Sequence, residues 1–435
     1  MTGALINGVD VVRYRTDTPA AAKSELDRTT AVVTGIGITA PNGMGRQAYW
    51  EATRAGRSGI GRITRFDPSE YPATLAGEIP GFEAAEHLPN RLLPQTDQVT
   101  RLALVAAEWA LADAGIDTGS LAEFDMGVVT AAGSGGFEFA QRELCALWSR
   151  GSQYVSAYQS FAWFYAVNSG QISIRHGMKG PSGVVVSDQA GGLDAIAHAR
   201  RQIRKGIPLM VSGGMDSSLC PWGWAALWTS GRVHAGSDPA LGYLPFDSRA
   251  SGQVPGEGGA ILILESAETA RGRGAHSYGE IAGYAATFDP APHTGREPAL
   301  CAAIEMALAD AGLAAADIDV VFADAAGVPE LDRIEAEAIA AVFGHRAVPV
   351  TAPKTMTGRL YSGAGPLDVA TALLAMAAGE IPPTINVTPD SDSPLDLVVG
   401  GARRATVRAA LVLARGLGGF NSAVVLTATE ERDIP

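Results

Sequence analysis

A chain of 435 residues, 47% of them apolar, is long enough for about two or three domains around a large core. Its 33 basic and 46 acidic residues leave a formal charge of −13, which disfavours nucleic acid and anionic membranes and makes a poor isolated dock for an acidic partner. Cys145, Cys220 and Cys301 are widely spaced with no CxxC pair, which suggests neither a disulfide framework nor a zinc site; no apolar run has the length of a signal-peptide core or a membrane span, so a reducing cytoplasm is the expected setting.

Residues 1–29 are polar and irregular and read as a flexible leader. Order is expected from Ala31 to Gly37, a strand running into a glycine turn, then in helices at Ala48 to Arg57 and Gln98 to Ala114, a strand at Met126 to Thr130 and a helix at Phe137 to Arg150. An aromatic patch follows at Tyr158 to Tyr165, then a strand into glycines at Leu209 to Gly214 and a strand at Gly259 to Glu265. Pro366 to Ala378 is Ala-rich, interrupted by Asp368, and reads as a buried core helix. The segment ALADAG occurs at Ala110 to Gly115 and again at Ala307 to Gly312, each time closing a helix that leads to a Val-rich strand and a small-residue loop. Two similar α/β halves are expected, at residues 30–270 and 271–430, with mainly parallel or mixed sheets covered on both faces.

The stretch GVVVSDQAGGLDAIAHAR, Gly183 to Arg200, organises the first half. Val184, Val185 and Val186 suit a buried strand, and Leu193, Ile196 and Ala197 recur at helical spacing. Two glycines between them permit a tight strand-to-helix elbow, the place where several acyl-transfer enzymes hold a nucleophile against backbone N–H groups. Here the position is Gln189, which forms hydrogen bonds but has no nucleophilic form at neutral pH. Taken alone, the stretch also fits a structural glutamine on an ordinary turn.

Four further segments complete the pattern: VVTGIGITAPNG at Val32 to Gly43, LPFDSRASGQVPGEGGAILILE at Leu244 to Glu265, KTMTG at Lys354 to Gly358, and GLGGFNSA at Gly416 to Ala423. Together they resemble the β-ketoacyl synthase family across residues 30–428, which implies a thiolase-like fold of two duplicated α/β halves in five α-β-α-β-α layers. An active member needs an elbow Cys as thiolate to accept the acyl chain and two His to polarise the malonyl thioester. The Cys position is Gln189; the His positions match Asp324 and Arg359, with Asp332, Arg333, Glu335 and Lys354 retained around them. No catalytic residue is therefore expected, and none of His87, His176, His198, His234, His276, His293 and His345 falls at either site.

With DQAGGLDA, FAWFYAVNSGQISIRHGM and CPWGWAALWTSGR, this triple replacement is similar to the chain-length factors of type II polyketide synthases. The resemblance implies an obligate heterodimer with a catalytic ketosynthase subunit, building a poly-β-ketone from malonyl units on an acyl carrier protein. The acyl chain would ride on the carrier's phosphopantetheine, with no cofactor, metal, nucleic acid or membrane partner for this chain. Carrier proteins are usually acidic, so docking would fall mainly to the partner subunit. Asp324 beside Arg359 reads as a structural ion pair, and Gln189 as filling the vacated site and hydrogen-bonding the elbow backbone. The alternatives are a malonyl decarboxylase acting through Gln189 and a purely structural partner. Phe137, Ala140, Leu144 and Leu147 share one helix face at spacings of 3, 4 and 3. By resemblance Phe137, Ala140, Leu144 and Phe161 line the end of the substrate tunnel, and Gly418, Gly419 and Phe420 form a gate loop. Small or medium side chains at Ala140 and Leu144, where a Phe would close the tunnel early, imply a product towards the longer end of the aromatic range.

Overall fold

The computed structural model describes residues 29–291 and 294–429. The expected leader, all but Thr29, and His293 lie outside the described residues. The first half contributes β1 (Ala31–Ala40), α1 (Arg46–Arg54), α2 (Gln98–Asp113), β2 (Met126–Ala131), α3 (Phe137–Arg150) and α4 (Val167–His176), then β3 (Ser182–Val185), α5 (Gly191–Arg204), β4 (Leu209–Asp216), α6 (Pro221–Trp228) and β5 (Gly258–Ser266). The second contributes β6 (Gly279–Phe288), α7 (Leu300–Ala311), β7 (Val320–Phe322), α8 (Pro329–Phe343), β8 (Pro349–Thr351), α9 (Ala364–Ala378), β9 (Asp396–Leu397), β10 (Ala409–Arg415) and β11 (Phe420–Thr427).

These strands follow the order β9-β8-β7-β10-β11-β6-β1-β5-β4-β2-β3. Each half carries parallel strands outside and antiparallel strands inside, and the two half-sheets pair where Val32 and Val33 of β1 meet Glu280 and Gly279 of β6. α5 and α9 touch both halves and each other, forming the central layer; α2 covers the outer face of the first sheet and α7 that of the second. Five layers result.

The repeated ALADAG segment explains how each outer helix is seated. Asp113 accepts the Ile36 N–H at 2.9 Å, and Asp310 accepts the Tyr284 N–H at 2.9 Å, so the same acidic position ties each helix end to the adjacent inner strand. Close approach is needed for this: a Cβ on Gly35 would stand 2.1 Å from the Ala110 carbonyl oxygen, and one on Gly283 would stand 2.2 Å from that of Ala307. Equivalent residues doing the same work in both halves support duplication. Between the sheets, α9 is buried over nearly its whole length, as its Ala-rich sequence requires.

One expectation needs correction. The valine run of β3 is not a buried strand but the last strand of the sheet, with Gly183 to Val185 half-buried and Val186 exposed. Among the described residues its outer edge has no neighbouring strand to supply burial.

Candidate functional site

At the end of β3 the chain turns through Ser187, Asp188 and Gln189 into α5. Asp188, not a glycine, takes the left-handed conformation at φ 52°, which Asp tolerates through its short polar side chain. Its Oδ2 accepts the Leu417 N–H at 2.7 Å and ties the elbow to the loop at 416–420. Gly192 brings the first turn of α5 against α9: a Cβ there would lie 2.2 Å from Pro366 Cδ and 2.4 Å from the Ser362 oxygen. These contacts aim Gln189 inward, 1% exposed.

There it meets Asp324 and Arg359, both buried. Gln189 Nε2 donates to Asp324 Oδ1 at 3.1 Å; the Arg359 guanidinium reaches both oxygens of that carboxylate at 3.0 and 2.9 Å and also the carbonyls of Asp324 and Arg415. The Arg415 N–H adds a further bond to Asp324 Oδ1 at 2.8 Å. The ion pair expected from the sequence is present, but the glutamine does not bond the elbow backbone. Its N–H finds a carboxylate, the stronger acceptor, and its Oε1 has no partner among the described residues.

Buried carboxylates hold the backbone around this cluster in place. Glu335 accepts the N–H groups of Asp324 and Ala325 at 2.6 and 2.8 Å; burial, and then the Asp324 charge, push its carboxyl up to about 7. Asp332 accepts from Gly327 and Phe246, and burial raises it to about 7 as well. Lys354 pairs with Asp368 of α9 at 2.7 Å and donates to the Ala323 carbonyl. Arg333 instead lies exposed, paired with Glu330 and Glu337. Asp216, at the end of β4, was not singled out by sequence. It accepts from Gly133, Ser134 and Ser362, and burial lifts it to about 6.

Two adjoining cavities border the cluster. One of about 210 Å³ is lined by Phe137, Asp188, Asp216, Arg232, Arg359 and Tyr361, among others; a smaller one of about 50 Å³ is lined by Arg232, Asp324, Arg359, Arg415, Gly419 and Phe420. Neither lining contains a thiol or an imidazole. Gly418 and Gly419 both have positive φ, and Phe420 packs edge-on against Phe288 at 5.1 Å.

The structure separates the four expected tunnel residues. Phe137 stacks on Trp222 at 4.7 Å and lines the larger cavity, whereas Ala140, Leu144 and Phe161 lie outside its lining. Phe139, Ala140, Glu143 and Ala146 form the buried face of α3. Leu144 is exposed and Phe137 half-buried on the opposite side, beside exposed Trp148. Phe161 is half-buried and edge-on to Tyr158. The helical spacing is as expected, but the stripe is split: Leu144 faces outward and Phe137 is half-buried, whereas Ala140 packs into this chain's own core.

The N-terminal domain model of the β-ketoacyl synthases matches residues 29–270 and the C-terminal domain model matches residues 278–388. The chain belongs to the β-ketoacyl synthase family. It is 61% identical over 399 residues to the actinorhodin polyketide putative β-ketoacyl synthase 2 of Streptomyces coelicolor, covering 91% of this chain and 98% of that one. With the tetracenomycin polyketide synthase ketoacyl synthase beta subunit of Streptomyces glaucescens it shares 60% over 398 residues, 91% and 97% of the two chains. Among solved structures, the ishigamide ketosynthase/chain length factor superposes with a TM-score of 0.83 at 29% identity, covering 92% of this chain and 99% of that one. Within the family the chain stands with these β subunits, the chain-length factors of type II polyketide synthases.

Among the described residues no group of side chains has a metal-binding arrangement, and no helix is long and apolar enough to cross a membrane.

Proposed function

We propose that this chain is the non-catalytic, length-setting subunit of a heterodimeric type II polyketide ketosynthase. The observation that carries the reading is the elbow: the nucleophile position holds Gln189, locked to a buried Asp324–Arg359 pair. An enolate needs free, preorganised donors. The Gln189 amide N–H is bonded to Asp324, and the Arg359 guanidinium is bonded to that carboxylate and two carbonyls, which favours a structural role over malonyl decarboxylation. The partner subunit supplies the reacting thiol. Malonyl units are condensed to a poly-β-ketone carried on the phosphopantetheine of an acyl carrier protein, and this chain needs no cofactor of its own. One structural neighbour, at 27% identity, is a type II acyl carrier protein in complex with its ketosynthase bound to the hexaketide.

The surface suits such a partner. Leu144 and Trp148 of α3, Trp163, Phe164 and Tyr165, Trp222 and Val186 are exposed, and β3 is the last strand of the sheet among the described residues. Apolar surface of this extent marks an interface. On this reading Phe137 and Leu144, on the outward side of α3, face the partner and bound a tunnel between the subunits, Gly418, Gly419 and Phe420 form the gate loop, and a Leu rather than a Phe at 144, with Ala140 behind it, leaves room for a longer chain. Its setting is the cytoplasm, where the three free cysteines stay reduced.

The test is reconstitution of the purified heterodimer with carrier protein and malonyl donor, comparing wild type with Gln189→Ala. Product of unchanged length, formed only with both subunits and retained in the variant, is expected. Carbon dioxide release from malonyl carrier protein by this chain alone, abolished by Gln189→Ala, would replace the reading with decarboxylation.

A further inference from the structure

The larger cavity behind Phe137 contains one group that the rest of the fold does not use. Arg232 lines both this cavity of about 210 Å³ and the adjoining one of about 50 Å³. Its backbone N–H donates to Ser230 and its carbonyl accepts from Gln253, but among the described residues its guanidinium makes no hydrogen bond or ion pair. It is half-buried, and burial draws its pKa below the usual arginine value. A part-desolvated guanidinium carries several donors that have lost water without gaining acceptors, which costs free energy unless a ligand supplies them.

The surroundings narrow the ligand. Arg232, Arg359 and Arg415 stand against Asp188, Asp216, Asp289 and Asp324 in the two linings. The charges of the linings thus nearly balance, with no cationic excess, so a phosphate or sulfate gains little. The Asp216 carboxylate is bonded to Gly133, Ser134 and Ser362, and Asp188 to Leu417, and neither forms an ion pair with Arg232. Ser134 and Ser218, which bond each other, also line the cavity, as does Leu227. A mixture of free donors, hydroxyls and apolar wall suits a neutral ligand with closely spaced carbonyl oxygens.

We propose that the cavity beside Arg232 binds the distal 1,3-dicarbonyl units of the growing poly-β-ketone, with the guanidinium hydrogen-bonded to their oxygens. This rests on the length-setting reading and extends it: Phe137, at the wall of the cavity, admits or excludes the chain end, and Arg232 holds what passes it. An end held as a 1,3-dicarbonyl would also be kept from premature cyclisation.

The direct test uses pentane-2,4-dione as probe, titrated into the purified heterodimer of Phe137→Ala and followed by isothermal titration calorimetry. The expected result is saturable binding, lost in Phe137→Ala/Arg232→Met and partly kept in Phe137→Ala/Arg232→Lys. Equal binding with and without Arg232 overturns the proposal. A second arm reads product mass: Phe137→Ala lengthens the chain by about one or two two-carbon units, and Arg232→Met or Ser218→Leu added to it removes that gain. Lengthening that persists in both double variants overturns the cavity as the binding site while leaving the length-setting reading intact. Unchanged length in Phe137→Ala itself counts against the length-setting reading, and the dione titration then decides the cavity alone.

Discussion

Asp324→Ala is the sharpest perturbation of the degenerate site. The Asp324 carboxylate is fully buried and accepts from Gln189, from the Arg359 guanidinium and from the Arg415 N–H. Its removal leaves the Arg359 charge, 4% exposed, facing only carbonyl oxygens. Breaking one side of a buried ion pair costs about 3–5 kcal/mol, and each further buried donor left without an acceptor adds about 1–3 kcal/mol. A total of at least about 5 kcal/mol is a large share of the roughly 5–15 kcal/mol that holds an ordinary domain together. Chemical denaturation of the purified heterodimer, followed by this subunit's unfolding, should show a correspondingly large drop. Asp324→Leu/Arg359→Met removes both charges together and should be milder than the single change. A loss under about 1 kcal/mol for Asp324→Ala, with polyketide output abolished, would refute the structural account and make Asp324 a catalytic group.

Four further outcomes follow from the same geometry. Asp97 and Asp216 are raised to about 6 by burial, and Asp332 and Glu335 to about 7, all above their unfolded values. Their contribution to stability is therefore full below about pH 4 and is lost as pH rises through 6 to 7, so the urea midpoint should fall between pH 5 and pH 8 and Asp332→Asn should flatten that slope. Gly192→Val drives a side chain into Pro366 and the Ser362 oxygen and should prevent recovery of folded chain, measured as soluble yield. Asp97 caps α2 through Val99 and also accepts the Phe139 N–H at 2.7 Å, while Glu143 accepts the Ser156 N–H at 2.7 Å. These two carboxylates set the position of α3, so Asp97→Asn and Glu143→Gln should broaden the product-length distribution read by mass spectrometry. Val186→Arg on the exposed edge should weaken the heterodimer by at least about tenfold in a size-exclusion or titration assay, since an unpaired charge would enter the interface.

Much of the site was legible in the sequence, because its signals are local. Gly191 and Gly192 between a valine run and a helical pattern marked the elbow, and the repeated ALADAG marked the duplicated halves. The Asp324–Arg359 pair could be read because both positions belong to recognisable segments. What stayed hidden depends on chain brought from far away or from outside. The Arg415 N–H reaches Asp324 across 91 residues, and Asp216 gains its partners only when β4 meets the loops at 133 and 362. Periodicity placed Phe137, Ala140 and Leu144 on one stripe, but it cannot say where the chain's own core cuts that stripe, burying Ala140 and leaving Leu144 exposed. The valine run of β3 misled for the same reason: β-branched residues suit any covered strand, including one covered by a partner.

The length-setting claim is tested most directly by the mass of the polyketide released from reconstituted heterodimers carrying wild type, Leu144→Phe or Leu144→Trp. Added volume at this exposed position should shorten the chain while total malonyl consumption continues. Unchanged chain length in both variants, with intact output, would contradict the account.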